Sequence, residues 1–174
     1  QQITIDRSIS VMDICLEKYA DVIFMEKRMR ELESDMTEFS GDEEKLTAIY
    51  KEYGEIQEKF DEKNGYGFMS EIKGYLSMVG IDEAFYDRDV MTMSGGEKAR
   101  LELALTFMEK ADLLILDEPT NHMDTLMIEY LEKFMKDFRG SIIFISHDRL
   151  LLENVANRIF EIENGELRIY NMLL

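Results

Sequence analysis

The chain has 174 residues, 20 Lys+Arg against 37 Asp+Glu for a formal net charge of -17, one proline, one cysteine and no tryptophan. With 45% apolar residues it can bury a core and is not a disordered chain, and one cysteine excludes a disulfide framework and fits a reducing compartment. No run approaches the roughly 20 apolar residues of a membrane helix and no basic, apolar leader opens the chain, so a soluble cytoplasmic protein is expected, with weak or no direct nucleic-acid binding because its acidity repels phosphate backbones.

The first half reads as helix. Around Cys15, the residues Val11, Ile14 and Leu16 make an apolar face on which the thiol is expected as a small buried hydrophobe. From Met25 the apolar positions Met25, Met29, Leu32, Met36 and Phe39 keep four-three spacing, and after Ser40-Gly41-Asp42 the stripe resumes as Leu46, Ile49, Tyr53, Ile56 and Phe60. Two such stripes across a short polar break predict an antiparallel helical hairpin. Ser40 with Glu43 is expected to form a capping box, with Asp42 adding a carboxylate at the positive helix end. The hairpin's charged outer faces suit either a solvated spacer or an arm that touches a partner. Asn64-Gly65-Tyr66-Gly67 ends it. A short amphipathic helix with Met69, Ile72, Tyr75, Leu76 and Val79 follows, closed by Gly80.

The second half alternates strand and helix. Leu113 to Leu116 and Ile142 to Ile145 are continuous apolar runs, as in strands of a parallel sheet covered on both faces. Leu126, Tyr130, Leu131, Phe134 and Phe138 keep helical spacing between them, giving a βαβ unit. After a helix over Leu150 to Ala156, Ile159 to Glu163 and Glu166 to Tyr170 read as strands of a terminal hairpin around Asn164-Gly165, the favoured two-residue turn.

Candidate chemistry sits at the ends of these elements. Asp117 and Glu118 follow an apolar strand, the Walker B pattern in which the first carboxylate holds Mg²⁺ through water and the second acts on an attacking water. Alone the pattern is not specific. Ser94-Gly95-Gly96-Glu97 opens the preceding helix, where glycines and a hydroxyl let an anion approach the backbone; by itself it is also an ordinary N-cap. Ser146-His147-Asp148-Arg149 ends the second run and puts an imidazole beside the acidic pair of the neighbouring strand.

In this order the segments resemble the ATP-binding cassette (ABC) ATPases. Met93 to Arg100 is similar to the ABC signature, Leu113 to Thr120 to its Walker B strand, Asn121 to Asp124 to its D-loop and Ser146 to Arg149 to its switch-histidine loop. The wording Asn-His-Met-Asp and Ser-His-Asp-Arg resembles the ABC-F branch, cytosolic twin-ATPase proteins without membrane spans, many of which act on ribosomes. Gln1, ten residues before Val11, matches the Q-loop glutamine; Gln2 is the weaker match. The hairpin falls where that branch inserts an arm.

The resemblance implies an α/β fold: a partial P-loop NTPase core with a helical subdomain carrying the arm. Residues 1–110 would form the helical subdomain, with the arm over about 24–64, and residues 111–174 the parallel-sheet part. It implies ATP and Mg²⁺ as cofactors, bound between two ABC halves. Gln1, Asp117, Glu118 and His147 would serve one nucleotide: Glu118 as general base, Asp117 and Gln1 organising Mg²⁺, His147 steadying the γ-phosphate and attacking water. Ser94, Gly95, Gly96 and Glu97 would meet the nucleotide held by the other half, and Asp124 would couple the two sites. His122 would be structural.

One departure is large. The chain holds no G-x-x-x-x-G-K-[S/T] phosphate cradle, which the family carries upstream of the Q-loop. Together with a first residue that is not methionine, this predicts a segment of a longer ATPase that is not competent alone. The implied partners are a second ABC half and, through the arm, a ribosome or ribosomal protein. A transporter nucleotide-binding subunit and a non-catalytic interaction module built on the arm are the alternatives; the chromosome-maintenance ATPases need a far longer coiled coil.

Overall fold

The computed structural model describes residues 7–109 and 111–172. Seven helices and four strands run along it: α1 Val11–Glu17, α2 Ala20–Glu38, α3 Glu43–Glu62, α4 Phe68–Met78, α5 Gly95–Met108, β1 Leu113–Asp117, α6 Thr125–Asp137, β2 Ser141–Ile145, α7 Arg149–Val155, β3 Arg158–Glu163 and β4 Glu166–Asn171. Two short 3₁₀ turns, Glu83–Phe85 and Val90–Thr92, lie ahead of α5 and carry no periodic signal. No helix among the described residues is long and apolar enough to cross a membrane.

The hairpin is present and antiparallel. Arg28 donates from Nε and Nη2 to the two carboxylate oxygens of Glu52 at 2.8 and 3.1 Å, Tyr53 Oη donates to Glu33 at 2.9 Å and Lys63 Nζ to Asp21 at 2.5 Å. These exposed pairs set register more than stability, since each is worth about 0–1 kcal/mol. The seam buries Met29 and Leu32 from α2 but only Phe60 from α3; two helices alone leave Leu46, Ile49 and Ile56 half in water. The expected capping box at Ser40 does not form. Asp42, in extended conformation directly before α3, accepts from Lys45 N at 3.1 Å, while Ser40 stays in the turn.

The base of the arm joins the larger of two cores. Val11 and Cys15 of α1, Ile72, Leu76 and Val79 around α4, and Leu101, Ala104 and Leu105 of α5 are wholly enclosed. Burial pushes the Cys15 thiol up to about 12, in keeping with the expected small hydrophobe. Gly80 takes φ 69° one residue beyond the α4 C-cap, the left-handed position that favours glycine.

The second core lies on one face of β1–β2. The strands are parallel with Leu114 opposite Ile142 and Leu116 opposite Phe144, and this face packs on Phe107 of α5, Leu131 and Met135 of α6 and Leu151 of α7. The expectation of a sheet covered on both faces is not met among the described residues: Leu113, Ile115, Ile143 and Ile145 are 48, 73, 55 and 60% exposed. The buried residues of α5, α6 and α7 in this core pack on the Leu114–Leu116 side. Leu126 and Tyr130 of α6, included in the predicted apolar spacing, also face outward. At the far end, Gly140 passes so close to Asp112 that a Cβ would stand 2.4 Å from its carbonyl oxygen, and Ser141 N donates to that same oxygen at 2.8 Å. Tyr75 contacts both cores and meets Phe134 edge-on at 6.1 Å.

The β3–β4 hairpin forms in the predicted register, Glu163 opposite Glu166, with Asn164 and Gly165 at φ 52° and 81° as a type I′ turn requires. Its pairs Phe160–Ile169 and Ile162–Leu167 lie on one exposed face.

The cap exchange is testable by urea unfolding. Asp42→Ala is expected to destabilise by about 1 kcal/mol, the usual cost of an N-cap, and Ser40→Ala by none; the reverse order would restore Ser40 as the cap.

Candidate active site

The site is built where β1 and β2 end side by side. Asp117 closes β1 opposite Ile145, and the next amide, Glu118 N, donates to Ile145 O at 2.9 Å, adding one more rung to the pairing. At that step the chain turns left-handed, with Glu118 at φ 46°. This conformation is costly for a residue with a Cβ and is retained at functional turns. It carries the Glu118 carboxylate over the end of β2. Oε2 accepts from His147 N at 3.4 Å and Oε1 lies 3.5 Å from His147 Nε2. The imidazole is 97% exposed while the glutamate is 24% exposed, and Glu118 Oε1 is buried with no hydrogen-bond donor among the described residues. The shielded carboxylate and the accessible imidazole edge form one polar corner at the strand ends, the kind of pair that handles a proton. The expected juxtaposition of imidazole and acidic pair is therefore present for Glu118. Asp117 stands beside it, exposed to solvent.

The turn after Glu118 is compact. Pro119 is buried, Asn121 N donates to Glu118 O at 3.1 Å, and His122 is again left-handed at φ 66°. Asp124 caps α6 by accepting from Met127 N at 2.9 Å, so its carboxylate has a structural partner. An open groove of about 540 Å³ runs from this turn along β1, with Arg100, Leu103, Ile115, Glu118 and Asn121 in its walls.

Ser94-Gly95-Gly96-Glu97 is a full capping box. Ser94 Oγ accepts from Glu97 N at 3.4 Å and the Glu97 carboxylate accepts from Ser94 N at 2.7 Å. The Ser94 amide holds the Glu97 carboxyl below its ordinary range, with Arg88 adding to the effect. Gly96 faces the turn after Glu118, where a Cβ would sit 3.4 Å from His122 Cγ. Arg100, one turn into α5, donates to His122 O at 3.2 Å. Neither Arg88 nor Arg100 stood out in the sequence as a partner of these segments. The only signal was a basic residue a few positions to either side of the Ser-Gly-Gly run. Gln1 lies outside the described residues.

A family profile described as "ABC transporter" matches residues 17–121, more than half of the chain. The chain belongs to the ABC transporter family. Among curated relatives of this ABC chain, the putative ATP-binding protein YdiF of Bacillus subtilis is 35% identical over 132 residues, covering 76% of the chain and 21% of YdiF. The uncharacterized ABC transporter ATP-binding protein YfmM of the same organism is 32% identical and covers 98% of the chain and 32% of YfmM. The energy-dependent translational throttle protein EttA of Escherichia coli is 33% identical over 150 residues, 86% of the chain and 26% of EttA. The chain thus spans about a fifth to a third of the length of these relatives. Of solved structures, the dimeric bacterial ABC transporter cassette MJ0796 covers 63% of the chain at a TM-score of 0.50 and 21% identity, over 49% of its own length; this likeness shows the ABC cassette fold alone.

The left-handed step at Glu118 has a measurable consequence. Left-handed backbone costs a residue with a Cβ about 1–2 kcal/mol and costs glycine almost nothing. Glu118→Gly should therefore unfold at higher urea than Glu118→Ala, by about 1 kcal/mol. Equal stabilities would mean that Glu118 is not left-handed in solution.

Proposed function

We propose that the chain is the Q-loop-to-switch-histidine segment of an ABC-F type ATPase that hydrolyses ATP between two ABC halves in the cytoplasm and acts on the ribosome. The observation that carries the chemical part is the Glu118–His147 pair at the ends of adjacent parallel strands, with Glu118 Oε1 buried and with no donor among the described residues. In this reading residues 1–110 are the helical subdomain, with the arm over about 24–64, and residues 111–174 belong to the nucleotide-binding core.

The residues present fit part of a Mg²⁺–ATP site. Exposed Asp117 suits a cation held through water, and the Glu118 carboxylate, with one oxygen short of a donor among the described residues, suits a general base. Bound Mg²⁺–ATP supplies the transferable phosphoryl group and the cation that neutralises it. Glu118 accepts the proton of the attacking water, and His147, fixed through its backbone bond to Glu118, steadies the γ-phosphate side. Asp117 and Gln1 hold the metal. Ser94, Gly95, Gly96 and Glu97 meet the nucleotide of the other half through the α5 N-terminus, and Asp124 couples the two sites. The glycine-rich lysine loop is not in this sequence, so these residues form an incomplete site by themselves.

Two features favour ABC-F over a transporter subunit: the α2–α3 hairpin ahead of the signature and the 33% identity to a protein named a translational throttle. The transporter reading draws on the printed name of YfmM. The arm's outer surface is acidic, which suits a basic protein surface of the ribosome more than RNA.

The purified chain is expected not to turn over ATP. Joined to a Walker A-bearing segment and a second half, it should do so, and Glu118→Gln should then lower turnover at least about a hundredfold, the scale of a lost general base. Pelleting with ribosomes should be lost when Phe24 is joined directly to Asn64. Undiminished pelleting without the arm, or ATP turnover insensitive to Glu118→Gln, contradicts the proposal.

A further inference from the structure

Glu97 presents a physical conflict. It is the third residue of α5, and its carboxylate occupies the positive end of that helix by bonding Ser94 N at 2.7 Å. With the site open, this is favourable, because the helix dipole welcomes a negative charge. An approaching phosphate needs the same field, and a fixed carboxylate there repels it.

Arg88 resolves the conflict. Its Nη1 lies 3.3 Å from Glu97 Oε1, its Nη2 donates to Thr92 O at 2.8 Å, and its Nε reaches Thr92 Oγ1 at 3.2 Å. The guanidinium also stacks over Phe85, 5.2 Å from the ring centroid. The Arg88 backbone is anchored in turn, accepting from Val11 N at 3.1 Å, and the neighbouring Val90 N donates to Ile9 O at 2.9 Å. The cation is therefore held by three residues, Glu97, Thr92 and Phe85. Its partner is shielded: the Glu97 side chain is 19% exposed, so water screens the carboxylate poorly, and the guanidinium adds a full positive charge to the hydrogen bond from the Ser94 amide.

We propose that Arg88 is a charge-balancing positioning residue for the signature: it cancels the Glu97 carboxylate so that the phosphate of the opposing nucleotide can approach Ser94-Gly95-Gly96. The Arg88–Glu97 pair then presents the incoming anion with the neutral helix end that a glutamine at 97 would give alone. The inference rests on the proposed reading of Ser94 to Glu97 as the signature.

The test is a double-mutant cycle on ATP turnover in the intact two-half protein. Arg88→Gln removes the charge and retains a side-chain amide near Thr92; it should lower turnover about tenfold, and Arg88→Lys, which keeps the charge, less than about threefold. In an E97Q background the carboxylate is gone, and adding Arg88→Gln should cost less than about twofold relative to E97Q. Equal losses in both backgrounds would reduce Arg88 to a scaffold for Thr92, and no loss in either would remove it from the reaction; each overturns the proposal. Helical circular dichroism checks that R88Q is folded, and Arg88→Met replaces it in the same cycle if it is not. Ser94→Ala separates the two levels of the argument. If Ser94→Ala leaves turnover intact, the signature reading itself has failed; if it abolishes turnover while Arg88→Gln costs the same in both backgrounds, charge balance alone is rejected.

Discussion

Parallel pairing of β1 with β2 governs the placement of Asp117, Glu118 and His147. Leu114 and Leu116 must face the second core opposite Ile142 and Phe144, and because side chains alternate, this leaves Asp117 level with Ile145 and Glu118 one rung beyond. A slip of one residue would send both leucines to the open face and part Glu118 from His147. The register is secured at the other end by the Ser141 amide on Asp112 O and by Gly140, whose missing Cβ allows the two chains to approach. The apolar core thus sets the geometry of the polar pair, and the left-handed step at Glu118 is the local cost of turning its carboxylate across the strand ends.

Helix α5 connects this pair to the rest of the chain. One face buries Leu101, Ala104 and Leu105 in the arm-side core, and Phe107 reaches the sheet-side core. Its N-terminus is a capping box whose glutamate is held by Arg88, and its second turn sends Arg100 to the His122 carbonyl. Gly96 lies against His122, so the segment proposed to face one nucleotide packs on the turn that follows the carboxylates proposed for the other. Tyr75 provides a second link, between α4 near the arm and Phe134 of α6. The arm itself is a different kind of structure, with a thin seam and exposed ion pairs, and it contributes surface more than stability.

Much of this was legible from residue order. The heptad spacing of Met25 to Phe60, the apolar runs at Leu113 and Ile142 and the Asn164-Gly165 turn are periodic or turn-specific signals, and they gave the hairpin, the parallel pair and the terminal strands. The Ser94 N-cap and the Glu118–His147 proximity followed from motif position, whereas the reciprocal bond from Ser94 N to Glu97 did not. Three kinds of feature did not follow. Cap choice at the arm tip depended on which of Ser40 and Asp42 adopts extended backbone beside α3, which composition does not settle. The bare face of β1–β2 reflects which helices pack on the sheet, whereas an apolar run records only that both faces can be buried. Arg88 and Arg100 act across loop and turn contacts, where no periodicity marks a partner.

Glu118 and His147 are proposed to act as one unit on the same water and phosphate. In the intact ATPase, single-turnover cleavage of ATP by Glu118→Gln, His147→Ala and the double variant measures their coupling. Residues acting as a unit are strongly non-additive. The double variant should therefore fall within about threefold of the slower single variant. Losses that multiply would show two independent contributions and contradict a shared role for the pair.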